Sequence, residues 1–262
     1  LLILNGIQNS LGEDFLIKFS KPKNIVAKNV LTMCFPYRLL GVDKQHEKNS
    51  YLCTIMSKQV PADGTLLPLM EEFYTIQGEG YHTGKAAYFI RLGGCDVGCH
   101  WCDVKESWDA ELHPLTKADD IIRNAARYPA KTVVITGGEP LIYNLDYLTR
   151  GLQDAGIKTF IETSGAYPLS GHWDWVCLSP KKFKAPLPDV IEAAGELKVI
   201  VFNKSDFEWA ERYAAQIPVG RKLYLQPEWS KAAQMTPLII DYVKENPKWE
   251  ISLQTHKYLN IP

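Results

Sequence analysis

The sequence predicts an α/β protein, an incomplete parallel β/α barrel smaller than the eightfold form, and three observations carry that expectation. Short apolar runs rich in Val, Ile, Thr, Tyr and Phe recur from about residue 86 onward, and helix-period segments separate most of them. The glycine-rich and polar motifs fall at the carboxyl ends of those runs. Parallel strands joined by crossover helices collect such ends along one edge, which is where barrels and open sheets bind ligands.

Seven strands are expected, over residues 87–92, 132–136, 159–162, 175–178, 197–202, 223–226 and 251–254. Between them, Thr116 begins a T-x-x-D helix start ahead of Ile121 and Ile122, and Ser205 with Glu208 reads as a capping box. A helix is expected from Leu145 toward Ala155, stopping at Gly156, and a last one from about Thr236 to Asn246 before Pro247. The interval from Cys102 to Thr116 is too short for a long crossover, so the helix after the first strand should be reduced or replaced around Trp108.

The chain has 262 residues, of which 46% are hydrophobic, enough for one substantial core. Residues 1–55 lack a sustained period, and Met56 opens a polar stretch ahead of the well-patterned region. They are therefore read as an N-terminal extension, with Met56 as the expected native start and 56–262 as the functional domain; Cys34 and Cys53 receive no role. A net charge of -1 gives no electrostatic footprint for nucleic acid or an anionic membrane, and no apolar run reaches the length of a membrane span. Six cysteines, three of them clustered, point to metal chemistry in a reducing compartment, the cytoplasm, rather than to a disulfide framework.

Those three cysteines, Cys95, Cys99 and Cys102, follow the first strand in C-x3-C-x2-C spacing. A four-iron cubane takes one thiolate per iron, so three thiolates leave one iron open to another ligand. A zinc site would normally close with a second C-x2-C or a paired histidine. Here His100 stands alone within the loop and Cys177 lies far downstream, which weighs against a zinc-stabilised nucleic-acid-binding module. Gly137, Gly138, Glu139 and Pro140 follow the second strand, and paired glycines let backbone approach a ligand closely. The ligand expected beside an open iron chelates through amine and carboxylate, as the methionine of S-adenosylmethionine does. Glu162 and Ser164 at the third strand end suit ribose hydroxyls, and Lys181 offsets a carboxylate charge. Gln226 closes the sixth strand and is assigned to the same cofactor.

At this point the chain resembles the radical S-adenosylmethionine enzymes, whose partial barrel pairs the C-x3-C-x2-C loop with a downstream G-G-E-P. Within them it is similar to the 7-carboxy-7-deazaguanine synthases through Gln77-Gly-Glu-Gly80, the run from Phe89 to Cys95, Thr136-Gly-Gly-Glu-Pro140, Glu162-Thr-Ser-Gly165, Ser179-Pro-Lys181, Leu225-Gln-Pro227 and the tail from Ser252 to Pro262. The likeness spans residues 68–262. It implies a carbon-nitrogen lyase of queuosine biosynthesis that contracts 6-carboxy-5,6,7,8-tetrahydropterin to 7-carboxy-7-deazaguanine with loss of ammonia. A [4Fe-4S] cluster and S-adenosylmethionine would supply the radical that takes hydrogen from the pterin C6, with the cofactor reused. An external donor of the flavodoxin type and a homodimer are also implied.

Carried over position by position, Ile76, Gln77 and Gly78 contact the substrate, Arg91 binds it, Thr136 hydrogen-bonds it, and the carboxylate of Pro262 accepts pterin N-H groups. Gly138, Ser179, Pro180 and Lys181 surround S-adenosylmethionine. Arg91 suits a carboxylate through paired donors, and an amide such as Gln77 matches the donor and acceptor edge of a pterin. The resemblance also implies magnesium, but Val104 stands where the family has a hydroxyl that helps bind it, and valine has no oxygen to give, so the ion is either unnecessary here or held by substrate, water and backbone alone. A radical activase acting on a partner protein shares the cysteine loop and G-G-E-P, but not the Q-G-E-G segment or the tail.

Overall fold

A computed structural model describes residues 60–262 and, upstream, the strands β1 (Ile17–Phe19), β2 (Lys23–Ala27), β3 (Val30–Leu39) and β4 (Ser50–Ile55). The chain divides into two units, Leu1–Gln59 and Val60–Pro262. In the first, β3 pairs antiparallel with each of the other three strands. The sequence shows no sustained alternation there and gave no strand signal. Met56, the expected start, lies outside the described residues.

The second unit carries a nine-stranded sheet. Its elements, in chain order, are β5 (Leu66–Ile76), β6 (Ala86–Leu92), β7 (Leu115–Lys117), α1 (Ala118–Ala125), β8 (Thr132–Gly137), α2 (Asp146–Asp154), β9 (Lys158–Thr163), β10 (Trp175–Leu178), α3 (Pro188–Ala193), β11 (Glu196–Val201), α4 (Ser205–Ala214), β12 (Lys222–Pro227), α5 (Ala232–Glu245), β13 (Glu250–Ile251) and α6 (Thr255–Leu259). The seven expected strands all form, as β6 and β8–β13. They pair in parallel in chain order, the arrangement of a barrel wall. β5 and β7 add an antiparallel margin, and the strand path ends at β13 on one side and β7 on the other, so the barrel stays incomplete.

Alternation along the strands separates core from site, because successive side chains point to opposite faces. Ile90 and Leu92 of β6, Val133 and Ile135 of β8, Ile161 of β9, and Leu197, Val199 and Val201 of β11 pack into one core with Ile121, Leu148, Leu152, Ala210 and Ile239 of the helices. Leu148 and Leu152 are fully buried, each contributing about 2 kcal/mol. The intervening residues, Phe89 and Arg91, Thr136, Glu162, Lys198 and Ile200, face a cavity on the other side of the sheet.

Several boundaries differ from the expectation. Thr116 lies on β7 rather than capping a helix, and α1 starts at Ala118 without a side-chain cap. Ser205 and Glu208 form no capping box. Instead Asn203 Oδ1 accepts from the Ser205 N-H at 2.9 Å, and Asp206 accepts from the N-H groups of Phe202 and Asn203. α5 begins at Ala232, extending from a short turn at Trp229–Lys231, so Pro237 lies within the helix rather than at its entry. The last strand is the pair Glu250–Ile251, and 252–254 continue as a loop. Two tight turns do replace helix around Trp108, but the link without any helix is the one from β9 to β10. The end of α2 at Gly156, in the left-handed region with φ 71°, agrees with the sequence.

Candidate active site

A cavity of about 480 Å³ opens at the carboxyl ends of the parallel strands. Among the predicted residues, Ile76, Gln77, Gly78, Arg91, Cys95, Cys99, Cys102, Thr136, Gly138, Glu162, Ser164, Ser179, Lys181, Gln226 and Pro262 all line it. Pro180 is buried and does not line it.

The cysteine loop is held by its backbone. The N-H of Gly94 donates to the Ser107 carbonyl at 2.6 Å and that of Cys95 to the Trp108 carbonyl at 3.1 Å, so the turns around Trp108 serve as the loop's platform. Gly94 adopts φ 104°, and a Cβ there would lie 2.2 Å from the Tyr143 hydroxyl, which donates to the Gly93 carbonyl at 2.7 Å. All three thiols are free. Burial pushes Cys99 up to about 11, with the nearby Lys181 ammonium pulling the other way. Binding iron as thiolates would offset that cost. No three His, Cys, Asp or Glu among the described residues are grouped to hold one metal ion. Three cysteines lining one cavity supply three of the four thiolates that a four-iron cluster takes, one per iron.

The G-G-E-P turn packs directly on this loop. The N-H of Gly138 donates to the Leu92 carbonyl and that of Glu139 to the Gly94 carbonyl, both at 2.9 Å. A Cβ at Gly138 would lie 2.1 Å from the Gly94 oxygen, which is why glycine stands there. Glu139, 2% exposed, accepts from Leu141 N-H at 3.1 Å, Thr163 Oγ1 at 2.6 Å, Ser164 N-H at 2.8 Å and Ser164 Oγ. The carboxylate therefore ties the end of β8 to the end of β9. Lys181 donates to Ser179 Oγ at 2.7 Å and stands 6.0 Å from the Trp101 ring centroid. Burial lowers its pKa.

Arg91 and Thr136 are register partners on β6 and β8, and both line the cavity. Arg91 Nε contacts Glu71 at 2.6 Å, an ion pair that fixes the guanidinium while the side chain still lines the cavity. Gln77 Nε2 donates to Glu162 Oε1 at 3.2 Å, and its Oε1 accepts from the Glu79 N-H at 3.1 Å. The C-terminal segment folds over the Q-G-E-G loop: the N-H and Oγ1 of Thr255 both donate to the Gly78 carbonyl at 2.9 Å. Lys257 pairs with Asp103 at 2.9 Å, beside the third cysteine, and Thr75 Oγ1 reaches the Pro262 carbonyl at 3.5 Å. The tail is thus docked.

Sequence reasoning missed Glu79, Glu139, Lys198, Gln254 and His256, which also line the cavity. Glu79 and Glu139 sit inside motifs that were read for their neighbours. Lys198 had its own signal, a lysine within the otherwise apolar run from Leu197 to Phe202.

Comparison with known proteins agrees with this geometry. Residues 89–179 match the model of the radical SAM superfamily. A 7-carboxy-7-deazaguanine synthase from Flavobacterium psychrophilum is 65% identical over 199 residues, 76% of this chain and 94% of that protein. Synthases of the same name from Synechocystis and Escherichia coli K12 are 47% and 36% identical, covering 74% of this chain in each case and 93% and 98% of their own lengths. The crystal structure of QueE from Escherichia coli aligns with TM-score 0.65 and 34% identity, over 72% of this chain and 93% of that one. With a cysteine loop, a glycine-rich turn and a docked tail around one cavity, this chain belongs to the 7-carboxy-7-deazaguanine synthase family of radical S-adenosylmethionine enzymes.

Proposed function

We propose that the enzyme converts 6-carboxy-5,6,7,8-tetrahydropterin to 7-carboxy-7-deazaguanine with loss of ammonia. The observation that supports this best is the composition of one cavity, whose lining combines the three thiols with Gln77, Arg91, Thr136 and Pro262. A cluster held by Cys95, Cys99 and Cys102, together with S-adenosylmethionine, would supply radical chemistry directed at the pterin C6. The protein supplies position and exclusion of water. Cys95, Cys99 and Cys102 hold the cluster. Gly138, Ser179 and Lys181, with Gln226, would face the cofactor, and Pro180 follows Ser179 in the chain. Glu162 and Ser164, held by their bonds to Lys198 and Glu139, offer their remaining lone pairs to the ribose. Arg91 presents its remaining N-H groups to the substrate carboxylate, Gln77 and Thr136 read the pterin edge, and Ile76 and Gly78 complete its wall.

Magnesium fits this site poorly. Val104 lines the cavity without an oxygen in its side chain, and its carbonyl already accepts from Ser107 Oγ at 2.7 Å. Removing magnesium with a chelator is expected to leave turnover within about twofold, since no side-chain ligand is lost at that position. The docked tail gives a second expectation: a C-terminal tag lowers activity more than an N-terminal one, because Thr255 is hydrogen-bonded to the Gly78 carbonyl and Pro262 lines the cavity. Equal activity of both tagged forms would reject that role. A flavodoxin-like donor, a homodimer, the cytoplasm, and the lack of a nucleic-acid or membrane partner belong to the same proposal. Its supports are the family likeness, the clustered cysteines and the near-neutral charge; no helix among the described residues is long and apolar enough to cross a membrane. Residues 56–262 are taken as the functional domain.

Anaerobic incubation of the iron- and sulfide-reconstituted enzyme with reductant, S-adenosylmethionine and the pterin tests the assignment. The expected product, by mass, is 7-carboxy-7-deazaguanine. Cofactor cleavage without that product would retain the radical chemistry and overturn the substrate.

A further inference from the structure

Lys198 projects from β11 into the cavity with its side chain only 3% exposed, and it touches two carboxylates, Glu79 Oε2 at 2.5 Å and Glu162 Oε2 at 2.8 Å. A buried ammonium has donors only, and leaving it unpaired is strongly unfavourable, so the three groups form one unit. Burial alone pushes Glu79 up, but the charge and hydrogen bond of Lys198 hold it at about 2. The other titratable groups facing this unit are Cys177 on β10, Glu196 on β11, Lys181 and His256.

The second oxygen of each carboxylate reaches a different part of the site. Glu79 Oε1 accepts from Gln254 Nε2 at 2.9 Å, in the segment that leads to the tail. Glu162 Oε1 accepts from Gln77 Nε2 at 3.2 Å, while the other end of that amide is held by the Glu79 N-H. An ionised carboxylate only accepts, so the amide must turn its NH2 group toward Glu162. The Glu79 N-H, a fixed donor, faces the other end of the amide, so Glu162 and Glu79 together set which way Gln77 presents its donor and acceptor to a ligand.

We propose that Lys198 is a positioning residue for pterin recognition. By placing Glu162 Oε1 against Gln77 Nε2 it steadies that amide beside the cavity, and by holding Glu79 it anchors Gln254 and the segment that leads to Pro262. This deepens the pterin reading above and rests on it.

The test compares the wild type with Lys198→Met, which keeps length and removes charge, and Lys198→Arg, which keeps charge. Iron content is measured for each, and kcat and KM for 6-carboxytetrahydropterin are followed from pH 8 to pH 6. For Lys198→Met the expected result is wild-type iron content, a KM raised at least tenfold and a kcat within about threefold of wild type. Its KM should climb further as the pH falls, because burial pushes the Glu79 carboxyl up once the Lys198 charge that holds it down is gone. The KM of the wild type stays level over that range, and Lys198→Arg keeps both the level profile and a KM within about fivefold. An unchanged KM in Lys198→Met, or an equal, pH-independent rise in both variants, overturns the role. If Lys198→Met does not fold, Glu162→Gln is decisive: a neutral amide that can also donate should raise KM without pH dependence, and an unchanged KM overturns the proposal. A wild type that makes no deazaguanine removes the pterin reading and this role together. Product in the wild type with an unaltered KM in the variants removes this role alone.

Discussion

Replacing Cys99 with alanine is expected to abolish product formation and the retention of iron and sulfide on reconstitution. Cys99 is buried on the cavity wall, and its backbone carbonyl accepts the Cys102 N-H at 3.0 Å, so the loop keeps its shape when only the sulfur is lost. Polar groups that merely orient metal ligands change affinity or activity by about 10- to 100-fold, so loss of a ligand should exceed 100-fold. The folded protein should lose only about 1 kcal/mol, the central value for a point substitution. A variant that binds iron normally and turns over at more than a tenth of the wild-type rate would contradict the assignment of the three cysteines. The readouts are iron and sulfide content, absorbance of the reconstituted protein, and product by mass.

The second large effect is on stability, at Glu139. Its carboxylate receives four hydrogen bonds from the ends of two strands while nearly excluded from solvent. Alanine leaves the Thr163 and Ser164 hydroxyls and the N-H groups of Ser164 and Leu141 without that acceptor. Each unsatisfied buried group costs about 1 to 3 kcal/mol, and water entering from the cavity relieves part of it, so a loss of about 3 to 5 kcal/mol is expected. For a unit of this size that lowers the melting temperature by roughly 6 to 20 °C. Glu139→Gln keeps one acceptor oxygen and should fall between. A loss below about 1 kcal/mol in Glu139→Ala would show that the hub is not what joins β8 to β9.

The parallel wall was legible because β6 and β8–β13 combine apolar runs with motifs at one end. β5 was not, since Pro68 and the neighbouring Glu71 and Glu72 interrupt its alternation and the pairing slips between Leu69 and Glu71. α3 and α6, six and five residues long, are too short to show a helical period. The helix starts misread at Thr116 and Ser205 share a cause. Capping chemistry is local, and the groups that win at those ends, the Leu66 to Lys117 pairing of β5 with β7 and the Asn203 and Asp206 side chains, compete for the same backbone.

The site followed a similar division. The cysteines, Gly138 and Lys181 were found because each lies in a compact motif with its own chemistry. Glu139 was named with its motif but not as a hub, because its partners Thr163 and Ser164 come from a different strand. A lysine inside an apolar run marks position 198, but its role is intelligible only once Glu79 and Glu162 are brought beside it, over sequence separations of 119 and 36 residues. Long-range pairing of that kind leaves no local pattern that names the partners.

The central claim is that one cavity brings the radical cofactor and the pterin C6 together, and substrate deuterated at C6 tests it most directly. The reconstituted enzyme would be run anaerobically with unlabelled S-adenosylmethionine, and both product and recovered cofactor examined by mass. Formation of 7-carboxy-7-deazaguanine with deuterium appearing in the cofactor pool is the predicted result. Product with no label transferred, or cofactor cleavage with neither label nor product, would contradict it.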